Sequence, residues 1–154
     1  MPTYYFDTSA VLKNYRSEEG TSEVSQLIDE PEAECFISRL TVTEVQRAFA
    51  QLVRTNEISA DEATQLRGSF YHDLRARRLR VIRIQTYHHH TAIRLFYQYL
   101  PQRHLPLLRT AAAIQLAGAL RLREAQGLDY FVAADGSLCK IAEAENLSVI
   151  KPKD

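Results

Sequence analysis

Short apolar runs alternate with longer amphipathic stretches along this chain. Five runs predict buried strands: Tyr4-Tyr5-Phe6, Cys35-Phe36-Ile37, Val81 to Ile84, Tyr130 to Ala133 and Leu147 to Ile150. Each is short and rich in aromatic or β-branched residues, as strands covered on both faces are. Between them apolar residues recur at helical spacing. Helices are predicted over 40–54, where Val42, Val45, Phe49, Leu52 and Val53 share a face, and over 60–78, 87–100, 107–123 and 135–146. Strands alternating with helices predict an α/β fold with a mostly parallel sheet. No linker, repeat or low-complexity stretch interrupts residues 1–154, so a single domain is expected.

The fold class directs attention to the strand ends, because open α/β sheets bind ligands outside the carboxyl ends of their strands. Asp7-Thr8-Ser9 follows the first strand. Ser38 and then Thr41-Val42-Thr43-Glu44 follow the second, and Ala134-Asp135-Gly136 follows the fourth. Each acid has a structural reading too. Asp7 suits a helix N-cap, Thr41-x-x-Glu44 fits a capping box, and Asp135 suits a turn or a cap. Together, three carboxylates on one sheet edge would repel one another unless protons or a cation compensate them. A hard cation such as Mg²⁺ or Mn²⁺ takes oxygen ligands and can activate water against a phosphate.

Composition narrows the class. Hydrophobic residues make up 45% and charged residues 25% of 154 residues, which excludes a disordered chain or a disulfide-stapled miniprotein. No apolar run is long enough to span a membrane, and Cys35 and Cys139 form no metal or disulfide framework. A cytoplasmic protein with reduced thiols is expected. The net charge of zero conceals an asymmetry. Residues 1–73 carry a net −7, residues 74–123 carry ten Arg and no acid, and residues 124–154 carry a net −3. Arginine forks fit phosphate bidentately, so a polyanionic partner such as RNA is expected. Arg75, Arg77, Arg78 and Arg109 are candidate phosphate contacts.

The tyrosines and Phe96 around the 87–100 helix suit core, an interface or stacking on bases. His88-His89-His90 does not converge on one point of a helix and is expected at the surface. Ser59-x-x-Glu62 predicts a capping box. A phosphotransferase of the haloacid dehalogenase type would need an acid where Ser9 stands, and no strand end carries a glycine-rich nucleotide loop.

Three blocks carry a family resemblance: Tyr5 to Leu12, then Ser38-x-x-Thr41-x-Thr43-Glu44-Val45, then Phe131-Val132-Ala133-Ala134-Asp135-x-x-Leu138. In order and spacing the chain resembles the PIN domain, and more narrowly the VapC-type toxins of toxin–antitoxin pairs. The resemblance implies a three-layer α/β/α sandwich and a Mg²⁺- or Mn²⁺-dependent RNA endonuclease. It also implies a homodimer with a VapB-like antitoxin partner. Asp7, Glu44 and Asp135 match the metal-site acids, and Ser9 matches a hydroxyl that supports the first of them. One position departs from the pattern. The family places an acid where this chain has Ala112, within Ala112-Ala113-Ile114-Gln115-Leu116-Ala117, and residues 74–123 hold no acid to replace it. The resemblance therefore implies a weakened or inactive nuclease, by engineered removal or natural loss, or a protein that only binds RNA or an antitoxin.

Overall fold

In the computed structural model, which describes residues 1–153, the apolar runs form five strands. They are β1 (Thr3–Phe6), β2 (Glu34–Ser38), β3 (Arg80–Ile82), β4 (Tyr130–Val132) and β5 (Val149–Ile150). Every pairing is parallel and the order is β3-β2-β1-β4-β5. The helices are α1 (Thr8–Val11), α2 (Thr21–Asp29), α3 (Arg39–Arg54), α4 (Ala60–Arg75), α5 (Thr86–Gln98), α6 (Thr110–Ala125) and α7 (Gly136–Ala144), with a 3-10 turn at Leu12–Asn14 after α1.

Side chains on successive strand residues point to opposite faces, and here each set meets a different helical layer. Tyr4 and Phe6 of β1, Cys35 and Ile37 of β2, and Val132 of β4 pack with Val11, Val24, Val45, Phe49 and Phe70. Tyr5, Phe36 and Phe131 pack on the other face with Leu95, Leu116, Leu120 and Ile141. The first core lies under α1 to α4 and the second under α5 to α7. The parallel sheet is the one expected from the alternating pattern, and the architecture is the three-layer α/β/α sandwich that the family resemblance implies. Full burial of each large apolar side chain contributes about 1.5–3 kcal/mol, and Tyr5, Phe6, Phe49, Phe70 and Phe131 are all below 2% exposure.

The helix starts differ in instructive ways from expectation. Ser38, not Thr41, caps α3: its Oγ accepts the Thr41 amide at 3.1 Å. Glu44 is therefore released from capping. Asp7 caps α1, Asp135 caps α7, and Ser59 with Glu62 forms the capping box of α4. Helix α4 ends at Arg75 rather than 78, because Arg77 takes the left-handed conformation that turns the chain toward β3. Helix α1 is the one that the N-cap reading of Asp7 implies, whereas α2 falls outside the predicted helices. Only Val24 and Ile28 of α2 are buried, too few positions to stand out as a periodic stripe.

His88 is also unlike its neighbours. It is 1% exposed in α5, and its Nδ1 accepts the Gln85 amide at 2.9 Å. His89 and His90 are exposed. The run diverges because adjacent helical residues lie about 100° apart.

Tyr5 lies so close beneath α6 that only glycine fits above it. A Cβ at Gly118 would stand 2.3 Å from the Tyr5 hydroxyl oxygen. Gly118→Ala should therefore destabilise the protein by about 1–3 kcal/mol despite alanine's better helix propensity. Thermal unfolding checks this, and an unchanged or raised Tm would contradict the close approach.

Candidate functional site at the carboxyl edge of the sheet

Strand order creates the site. From β1 the chain moves outward through β2 and β3, then returns to add β4 and β5 on the other side. The β1–β4 boundary is thus the topological switch point, where connections leave in opposite directions and open a crevice. Asp7 follows β1 there and its amide donates to Val132 O at 2.9 Å. The loop after β4 is tied to the loop after β1, since the Ala134 amide donates to Ser9 Oγ at 3.0 Å. Ser9 in turn donates to Asp7 Oδ2 through its hydroxyl at 2.6 Å and its amide at 3.2 Å. Ser9 therefore supports Asp7 and joins both strand ends.

The three acids differ in burial. Asp7 is buried, Glu44 is half-buried and Asp135 is exposed. Burial raises the pKa of Asp7, the two Ser9 bonds and the Thr8 amide oppose that rise, and the nearby Glu44 charge adds to it. Asp135 Oδ1 accepts the Ser137 amide at 2.9 Å and the Leu138 amide at 3.4 Å. The amide dipoles of α7 thus compensate its charge.

Glu44 belongs to a second set of contacts that sequence reasoning missed. Its Oε1 accepts from Thr8 Oγ1 at 2.7 Å and from Gln115 Nε2 at 3.0 Å. Gln115 is 1% exposed and comes from α6, one turn after Ala112. The missed signal was a long polar amide inside an otherwise apolar stretch. A buried amide must find partners.

A divalent cation such as Mg²⁺ needs several oxygen ligands together. Among the described residues, no three His, Cys, Asp or Glu side chains come together to hold a metal ion. Ala112 is half-buried against the α5–α7 core and offers no donor atom. The residues present therefore do not make up a metal centre.

The arginines divide by edge and by partner. Arg75, Arg77 and Arg78 precede β3 and so lie at the amino edge, away from Asp7 and Glu44. Arg75 and Arg77 are exposed, while Arg78 pairs with Asp73 at 2.7 Å and with Asp29. Arg109 stands at the N-terminal boundary of α6 without a side-chain capping bond and is exposed; α6 leads into β4, which puts its start at the carboxyl edge. Arg94 pairs with Glu145 at 2.8 Å, and Tyr99 also donates to that carboxyl. Burial acts to raise the Glu145 pKa, but Arg94 and Tyr99 outweigh it and the net shift is downward. Arg121 lies over the Tyr87 ring at 4.3 Å.

No family model and no curated protein matches the sequence. Solved structures do match. FitAcB from Neisseria gonorrhoeae superposes with a TM-score of 0.70 at 15% identity, covering 97% of each chain. FitAB bound to an IR36 DNA fragment gives 0.66 at 15% identity, over 97% of this chain and 94% of that one. VapC20 from Mycobacterium tuberculosis, a sarcin-ricin loop cleaving toxin, gives 0.62 at 15% identity, over 97% of this chain and 99% of that one. The chain shares their fold, a PIN-like α/β/α sandwich.

The buried charge of Asp7 makes a pH prediction. Its raised folded pKa means the native state holds this proton more tightly than the unfolded chain does. That contribution is present below the ordinary Asp value near 3.9 and is lost as pH rises through the folded value. In chelator at neutral pH, Asp7→Asn should raise stability by about 1 kcal/mol, or roughly 3 °C in Tm. The gain should vanish in acid. A lower Tm for the variant at neutral pH would show that the Asp7 charge is compensated.

Proposed function

We propose that this chain is a VapC-type PIN-domain protein, built on the frame of a Mg²⁺- or Mn²⁺-dependent RNA endonuclease and weakened or inactive because Ala112 stands where an acid is expected. The observation that carries this reading is the placement of Asp7, Glu44 and Asp135 after β1, β2 and β4, around the β1–β4 switch point. The likeness to VapC20, a toxin that cleaves the sarcin-ricin loop, supports it at the level of the fold.

On this reading the chain's own residues have distinct tasks. Asp7 and Glu44 provide negative charge beside the crevice, and Ser9 holds Asp7 in place through two hydrogen bonds. Asp135 sits at the solvent side, oriented by the start of α7. Arg109, exposed at the same edge, is the arginine best placed to meet an RNA phosphate there. Arg75 and Arg77 would meet a longer RNA only at the far edge. The cofactor of a restored site is Mg²⁺ or Mn²⁺, which supplies an activated water and charge neutralisation.

A second reading is a catalytically dead PIN-like protein that binds RNA or a VapB-like antitoxin. It is favoured by one observation: no three potential ligand side chains converge among the described residues. A homodimer fits either reading. The apolar stretch exposed on and after α5, with Ile93, Tyr97, Leu100 and Leu107 each more than half exposed, suits a second copy.

An RNA-cleavage assay of the native chain and Ala112→Asp separates the readings, each run with Mg²⁺, with Mn²⁺ and with chelator. The revertant should cut only with metal and at least about a hundredfold faster than the native chain, the scale of losing one charge-stabilising group. If both proteins are folded and neither cuts, the binding reading stands instead.

A further inference from the structure

Six hydrogens surround Gln115, and each one finds an acceptor. Tyr5 Oη donates to Gln115 Oε1 at 3.3 Å, and Ser38 Oγ donates to the same oxygen at 2.9 Å. Gln115 Nε2 then lies within bonding distance of three oxygens, Thr41 Oγ1 at 2.5 Å, Glu44 Oε1 at 3.0 Å and Thr8 Oγ1 at 3.0 Å, and its two hydrogens serve Thr41 and Glu44. With Gln115 using both its hydrogens, the Thr41 hydroxyl donates to Thr8 Oγ1 at 2.9 Å, and Thr8 donates to Glu44 Oε1 at 2.7 Å. The direction is set at one end. A carboxylate oxygen only accepts, so the amide presents its nitrogen, and Thr8 its hydroxyl hydrogen, to Glu44 Oε1. All the bonds run toward Glu44 Oε1.

The contributors come from every layer. Tyr5 and Ser38 belong to β1 and β2, Thr8 to α1, Thr41 and Glu44 to α3, and Gln115 to α6 across the sheet. Gln115 is therefore a bridge between the two helical layers at the edge where the acids lie.

We propose that Gln115 is the positioning residue of this edge, and that it holds Glu44 through directed protein hydrogen bonds in place of a cation. A metal bound at Glu44 Oε1 would have to displace two donors that this network already supplies. Ala112 offers no ligand, and the network fills Glu44 Oε1 without a cation. Gln115 acts through Glu44 and needs no contact with RNA. Cleavage by the Ala112→Asp revertant is thus a separate question, and its failure would leave the clamp untouched.

A double-mutant cycle on folding stability in chelator tests the pairing, using Gln115→Met, which keeps the volume and removes the amide, and Glu44→Leu. Gln115→Met should lower the folding equilibrium constant in both backgrounds, because the bonds to Tyr5, Ser38 and Thr41 are lost in each, but about fivefold more in the native background than when Glu44 is already Leu. Equal losses in both backgrounds would mean that Gln115 does not act through Glu44, and would overturn the proposal. A second measurement needs no variant that might misfold. In nitrogen-15 spectra of the native protein, the Gln115 side-chain amide should exchange slowly with water and keep its shifts when millimolar Mg²⁺ is added. Free-amide exchange, or displacement of those signals by Mg²⁺, would refute a clamp that stands in for the cation. Gln115→Asn should restore neither the slow exchange nor the stability, because its shorter side chain cannot span from Ser38 to Glu44.

Discussion

The parallel pairing of β1 with β4 is the constraint on which the rest of this molecule depends. It places the end of the chain, from Tyr130 onward, beside the first strand and reverses the direction of the connections. Two loops that are far apart in sequence are then forced together, and the Ala134–Ser9 bond closes them. Without that pairing Asp7 would be an ordinary helix cap and Asp135 another, with no relation between them. The same pairing leaves Tyr5 facing α6, where Gly118 admits it.

Covering both faces of a parallel sheet leaves its edges as the places where polar groups must be reconciled with burial. The protein meets this demand in three ways. Asp7 is served by Ser9, Asp135 by the start of α7, and Glu44 by Thr8 and Gln115. Each carboxylate has protein donors of its own. A buried network of this kind stabilises only when every member is satisfied. The hydrogens around Gln115 meet that condition, which is why a polar residue is tolerated in the most buried part of α6.

The charge asymmetry takes on a different meaning in three dimensions. The arginine-rich middle of the chain looked like one positive region. In the folded protein Arg78, Arg80 and Arg94 pair with acids from the flanking segments, and Arg123 donates to the Glu145 carbonyl. Part of the asymmetry is therefore internal: the middle block docks onto the acidic ends of the chain. Arg75, Arg77, Arg83, Arg103 and Arg109 are exposed, and they form no ion pair with described residues. They are divided between the two edges of the sheet, so a polyanion approaching the acids meets only some of them.

Local patterns carried the strands, the longer helices and the Ser59 capping box, because each depends on residues a few positions apart. The parallel sheet followed from alternation, and the strand-end acids followed from the sheet. The three-layer sandwich came from the family resemblance, and its physical basis is in the strands: side chains alternate along β1, β2 and β4, and both alternate sets are apolar. Helix α2 was not legible, since few of its positions are buried. Nor was the burial of His88, which rests on neighbours distant in sequence. The network around Gln115 joins positions 5, 8, 38, 41, 44 and 115, and no local spacing relates the last to the others. The sequence by itself determined which residues could carry charge at the strand ends. The tertiary structure decided how each is held, because burial and hydrogen bonding between distant segments exist only once the layers have packed.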